Sequence, residues 1–253
     1  MQLTKRFLAS QVLIIAALSE ACIAATVAPT TRFQGTTAGV FTNNDAGVVN
    51  GIGTNSFSWG IGQPNRSNLT FAGGLFDVNV RTGYVYGPRA RNDAEVFSLG
   101  SLSYYNGTIT GGSGANSVQL NVTSSVTSPV GTNPATFPIP FTLINSSNTN
   151  DPIASADSVF LPRNLPPVVT QTPGNYPITL EVPGFGQTTG SGFSTLDKFF
   201  VLEDGTASAS LLGRLVPACE PIVTGAVSVT PNGATMSAAF TPKFGLTTSQ
   251  AAS

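Results

Sequence analysis

Along most of this chain, apolar residues take every second position for a short stretch and then give way to Gly, Pro, Asn or Asp. A period of two belongs to extended strands, whose successive side chains point to opposite faces. In "SVQLNVTSSVTS" (117–128), Val118, Leu120, Val122 and Val126 share one parity and Gln119, Asn121 and Thr123 take the other, which predicts a strand with one wet face. "NYPITLEV" (175–182) sets Tyr176, Ile178, Leu180 and Val182 against Thr179 and Glu181, and its Pro177 predicts a sheet edge or a strand start. Phe57, Trp59 and Ile61 share a parity against Ser56 and Ser58, so the only tryptophan is expected in a core; the alternative is an exposed ring available for stacking.

"SLSYYNGTIT" (101–110) places Asn106-Gly107 between β-formers, a pair that tolerates the positive φ angles of a tight turn, and predicts a hairpin. Further strands are expected near 55–61, 68–72, 96–99, 138–145, 157–161, 198–203 and 206–215. No segment carries a sustained helical stripe with caps. Short strands at this spacing, each with one apolar face, predict an all-β protein: an antiparallel β-sandwich of jelly-roll type. The sandwich is expected over residues 25–217, followed by a tail, 218–253, with a hairpin at 222–240 around Asn232-Gly233 and a frayed end.

The first two dozen residues follow another rule. Lys5 and Arg6 lead into "FLASQVLIIAALS" (7–19), an apolar run too short for a membrane anchor, and residues 1–24 read as a secretory signal peptide. Lipid attachment at Cys22 is the competing reading, but "SEAC" puts the charged Glu20 where a lipoprotein signal wants small or apolar residues. Removing Lys5, Arg6 and Glu20 from the 11 basic and 12 acidic residues leaves nine and eleven, a net charge of −2. Scattered cations with that balance argue against a nucleic-acid partner, and no transmembrane segment is expected in the exported chain. That chain would keep a single cysteine, Cys219, so no disulfide within it is expected.

Candidate chemistry is bounded by what is missing. The chain has no histidine, which removes Ser-His-Asp and Cys-His arrangements and His-ligated zinc. Carboxylate chemistry is the one enzymatic route left open, with Asp45, Asp77, Asp151, Asp157, Glu181, Asp197, Glu203 and Asp204 as candidates for a pair facing across a cleft. The leading expectation is nonetheless no enzyme, no catalytic residue and no obligate cofactor. "NTNDPIASAD" (148–157) groups Asn148, Asn150, Asp151 and Asp157, oxygen ligands of the kind Ca²⁺ takes, although the same residues also initiate turns. The densest charge cluster, "RTGYVYGPRARNDAE" (81–95), is either a binding loop or a solvated excursion. If the protein contacts a glycan, the expected contacts are Tyr84, Tyr86, Arg89 and Arg91 in that loop and Tyr104 or Tyr105 beside the hairpin, register deciding which faces out.

Five phrases in order, "GVVNGIGTNSFSWG", "SNLTFAG", "FSLGSLSYYNGTI", "NTNDPIASADSVFLP" and "TLDKFFVLEDGTASASLLGRL", resemble the choice-of-anchor K domain family of exported bacterial proteins. The resemblance runs from about Thr31 to Leu215. It implies a β domain at the cell surface or in the extracellular matrix, without naming a reaction. Members often end in a Val-Pro-Glu-Pro box, an apolar helix and a basic end; here "VPACEP" (216–221) stands at that place with neither of the other two. Together these readings give a secreted or envelope-held, non-enzymatic protein that contacts polysaccharide or neighbouring surface proteins. The alternatives are a carboxylate-based glycan hydrolase or lyase, and a structural subunit that self-assembles through the 222–240 hairpin.

Overall fold

A computed structural model describes residues 30–62, 66–81, 92, 94–130, 132–163, 165, 168–171 and 177–217. In chain order the strands are β1 (Thr30–Asp45), β2 (Val49–Asn50), β3 (Ser56–Trp59), β4 (Ser67–Gly73), β5 (Leu75–Arg81), β6 (Val96–Tyr105) and β7 (Ser117–Ser128). They continue as β8 (Ala135–Ile144), β9 (Asp157–Phe160), β10 (Val168–Gln171), β11 (Pro177–Gly190), β12 (Gly192–Ser194), β13 (Lys198–Val201) and β14 (Thr206–Pro217).

Two antiparallel sheets of seven strands result. The first runs β12-β13-β9-β8-β7-β1-β5 and the second β10-β11-β14-β6-β4-β3-β2. The fold is the antiparallel sandwich that the alternation predicts. Val118, Leu120 and Val122 of β7 and Phe137, Ile139 and Phe141 of β8 point inward, where they meet Leu69, Phe71, Leu102 and Leu211 of the second sheet in one core. Rings bridge the layers: Phe41 of the first sheet lies 5.9 Å from Phe57 of the second, and Phe141 of the first lies 6.2 Å from Phe185 of the second. Pro177 opens β11, where its missing N–H costs least.

Three expectations change. Asn106-Gly107 is not a hairpin turn: β6 ends at Tyr105, and the buried Asn106 ties the chain to the next strand pair through its N–H to the Gly205 carbonyl (3.0 Å) and its Nδ2 to the Val201 carbonyl (3.1 Å). β6 instead pairs with β4 and β14. Ile61 leaves the parity of Phe57 and Trp59 because β3 stops at Trp59 and Gly60 turns the chain at φ +88°, so Ile61 is exposed. Finally, the longest strand, β1, was not anticipated. Its inward positions include Gly35 and Thr37, and the half-buried Gly39 lies against Phe71; a Cβ at Gly35 would stand 2.6 Å from the Phe76 ring, and one at Gly39 would stand 2.6 Å from the Phe71 ring. Aromatic rings from other strands fill the space that β1 leaves.

The hairpin expected at 222–240, Cys219 and the leader at 1–24 lie outside the described residues. Among the described residues no helix is long and apolar enough to cross a membrane.

Candidate functional site

At one end of the sandwich the strand ends and loops enclose a cleft of about 520 Å³. Gly107 to Gly114, the stretch that follows β6, forms one wall, and residues 145–148, between β8 and β9, form the other. Asp157 and Glu203 contribute the two carboxylates.

The cleft is framed by polar bonds between the two sheets. Trp59, fully buried and stacked on Phe57 at 5.4 Å, donates its Nε1–H to Asn145 Oδ1 at 3.0 Å. Asn145 in turn donates from Nδ2 to the Ala115 carbonyl at 2.9 Å, so its amide orientation is fixed from both sides. Trp59 is therefore a core plug whose one polar atom holds a cleft-lining residue in place. Tyr104 crosses the interior in the same way: its hydroxyl donates to Asp157 Oδ2 at 3.2 Å, while Oδ1 accepts the Ser146 N–H at 2.6 Å.

Asp157 lies on the inward parity of β9, with Val159, and is 4 % exposed. Burial pushes its carboxyl up to about 6; the Ser146 N–H and the Tyr104 hydroxyl pull it down, and the negative charge of Glu203 adds to the rise. Burial also raises the Tyr104 phenol well above its usual value, and the neighbouring Asp157 carboxylate raises it further. Glu203 sits in the turn between β13 and β14, where its Oε1 accepts Thr108 Oγ1 at 2.5 Å and Asn148 Nδ2 at 2.8 Å. Asp204 lies 3.3 Å from the same Thr108 hydroxyl, whose single proton belongs to the shorter contact with Glu203. Beside the cleft, the carbonyl oxygen of the buried Asn106 side chain has no hydrogen-bond partner among the described residues.

Of the residues expected to bind a ligand, Tyr84, Tyr86, Arg89 and Arg91 lie outside the described residues. Register settles the tyrosine pair: Tyr104 is buried and bonded to Asp157, which removes it as a surface contact, while Tyr105 is half-buried on the other parity. Of the four calcium candidates, Asn148 and Asp157 line the cleft, and Asn148, Asp151 and Asp157 are each engaged in hydrogen bonds of their own. Asp151 caps its own turn, with Oδ1 accepting the N–H groups of Ile153 (2.9 Å) and Ala154 (3.3 Å), and Asn150 sits exposed before it. Asn148 is committed to Glu203 and Asp157 to Tyr104 and Ser146. Among the described residues no three acidic or cysteine side chains come together as a metal site.

Two cleft residues escaped the sequence reading as site residues. Glu203 stood only among the candidate acids, and Asn145 drew attention only as an Asn-x-Ser triplet, of the kind a chain rich in Asn and Ser contains by chance. A signal for Glu203 existed: "EDG" (203–205) is a charged turn between two apolar strands. Nothing local marks Asn145, because its role comes from Trp59, 86 positions away.

Fold and cleft define an antiparallel β-sandwich with a polar, acidic groove at one end. The chain matches no protein-family model and no curated protein. The resemblance to the choice-of-anchor K domains thus rests on the quoted motifs alone.

Proposed function

We propose that this is an exported, non-enzymatic β-sandwich of the choice-of-anchor K kind, which contacts polysaccharide at the cell surface or in the extracellular matrix through the cleft at 107–114, 145–148 and 203. One observation carries the reading: the cleft offers backbone and side-chain hydrogen-bonding groups that are held in position before any ligand arrives. Asn145 is fixed by Trp59 and Ala115, and Asn148 is fixed by Glu203, which Thr108 anchors from beside the cleft. Prepositioned amides, hydroxyls and carboxylates suit a polyhydroxylated ligand, since little ordering remains to be done on binding. The test is a glycan-array screen of the full-length protein, with calcium and then with chelator, repeated with Glu203→Gln. Binding to a defined polysaccharide that weakens at least tenfold in the variant supports the reading; no binding under either condition overturns it.

A second reading is favoured by the acids themselves. Asp157 and Glu203 line one cleft, and a carboxyl raised to about 6 with a second acidic side chain in the same cleft is the kind of pairing that glycoside cleavage uses. Against it stands the occupation of Asp157: both of its oxygens already accept hydrogen bonds from Ser146 and Tyr104, which suits a clasp between sheets better than a proton donor to a leaving group. Release of reducing ends from polysaccharides between pH 4 and 7, lost in Glu203→Gln, would place the enzyme reading first.

A further inference from the structure

On the far side of the first sheet from the core, three aromatic rings face outward on neighbouring strands. Phe199 and Val201 of β13 point into the core, so Lys198 and Phe200 point out. Phe200 is paired directly with Phe193 of β12, the two rings stacking at 4.6 Å between centroids and 14° between planes. Lys198 is paired directly with Phe160 of β9, and its Nζ lies 6.0 Å from the centroids of both Phe160 and Phe200. Phe193 is 42 % exposed, and Phe160 and Phe200 are half-buried.

Among the described residues Lys198 is not committed to a carboxylate. The adjacent Asp197 is taken by Arg163 at 2.9 Å and by the Thr195 hydroxyl at 3.0 Å, and among the described residues Lys198 forms no ion pair. An outward cluster of rings at a sheet edge is a liability in water unless something covers it. From that cluster the same face continues through Thr142 of β8, in register with Phe160, to Ser117 of β7, in register with Thr142, with Gln119 and Asn121 further along β7 opposite Pro140 and Pro138.

We propose that this face binds an anionic polysaccharide strand, with the exposed Phe193, backed by Phe200, stacking on a sugar ring and Lys198, held beside the Phe160 and Phe200 rings, pairing with a uronic-acid carboxylate. The proposal rests on the glycan reading above and adds a second surface and a charge class to it. Aromatic faces accept the C–H faces of sugars, and a cation held among those rings selects a ligand that brings an anion. From β12 to β7 the face spans four strand spacings, roughly 19 Å, which suits an extended polymer rather than a single sugar. An apolar protein partner fits less well, because it would desolvate Lys198 without a counter-charge and leave the band of Thr142, Gln119 and Asn121 unmatched.

The test is affinity electrophoresis and titration calorimetry of the full chain against polygalacturonate, with a neutral galactan as the comparison. The expected result is binding to polygalacturonate that falls roughly tenfold in Phe193→Ala. In Lys198→Gln, the preference for the anionic polymer and its weakening by salt should both disappear. Both residues are partly exposed, and unchanged thermal midpoints would confirm that the variants fold. Equal binding by wild type and both variants overturns the surface while leaving the cleft open to the Glu203→Gln comparison. Binding to no glycan overturns both readings. A change in oligomeric state in Phe193→Ala, with no change in glycan binding, would assign the rings to protein contact instead.

Discussion

The cleft end of the sandwich and the outer face of its first sheet use the same side chain to opposite effect. Asp157 is buried between the sheets with two neutral donors, and burial raises its carboxyl to about 6. Asp77 stands in water on β5, where Arg32 donates to it from Nε at 2.7 Å and Gln34 at 3.0 Å, and the Arg32 hydrogen bond holds its carboxyl below the usual value. A solvated carboxylate with a cation stays charged at little cost; one enclosed by neutral groups is readily protonated. Above pH 6 the fold therefore holds at the cleft a carboxylate whose hydrogen-bond donors are neutral, whereas Asp77 on the outer strand has the Arg32 cation. Groups retained at such a cost mark sites more often than scaffolds.

The contrast breaks most severely at Trp59. It fills the core with Phe57 and Tyr104 at 5.4 Å on either side and also orients Asn145. Trp59→Ala should cost about 3–5 kcal/mol by loss of buried surface and the cavity it leaves. Trp59→Phe keeps one six-membered aromatic ring but removes the pyrrole part of the indole with its Nε1–H, leaving Asn145 Oδ1 without its donor, and should cost about 1–3 kcal/mol. Urea unfolding of the pair separates the two contributions: a Phe variant as damaged as the Ala variant would mean that the hydrogen bond, rather than the volume, dominates.

Asp157→Asn sharpens the comparison through pH. Because the native carboxyl is raised above its unfolded value, native protein holds a proton between about pH 4 and 6 that the unfolded chain has released. Wild-type stability should thus fall as pH rises through that window, by about 3 kcal/mol at most, and stay at the lower level above it. The Asn variant should lack that part of the slope and unfold at higher urea relative to wild type at pH 7 than at pH 4. Parallel pH profiles would show that Asp157 is charged throughout, and the contrast with Asp77 would fall.

How much of this was legible depended on where the partner of each residue lay. Strands such as β7 were readable because their own alternation states which face is wet. β1 was not, since Gly35 and Gly39 are there to admit Phe76 and Phe71 from other strands, and absence of a side chain leaves no periodic signal. Asn106-Gly107 misled for the same reason: the pair has turn chemistry, but the Gly205 and Val201 carbonyls, about a hundred residues away, use Asn106 as a tie. At the cleft, acidic character was visible in the list of carboxylates, whereas the meeting of Asp157, from the loop once read for calcium, with Tyr104, once read for stacking, belongs to the tertiary fold alone.

The smallest effect is expected where the comparison began, at Asp77. Arg32 reaches it diagonally, since Asp77 is in register with Gln34 and Arg32 with Asn79, and both side chains remain largely solvated. A pair of this kind gives up little water and gains little from its partner. Asp77→Asn should leave the thermal midpoint at pH 7 unchanged within error at physiological salt, with any small loss erased by 1 M salt. Its pH dependence should run opposite to that of Asp157: a carboxyl held below its unfolded value contributes above about pH 4 and loses that contribution as pH falls further. If Asp77→Asn instead proved as sensitive to pH between 4 and 6 as Asp157→Asn, the sign of the charge environment, and not burial, would have to account for both.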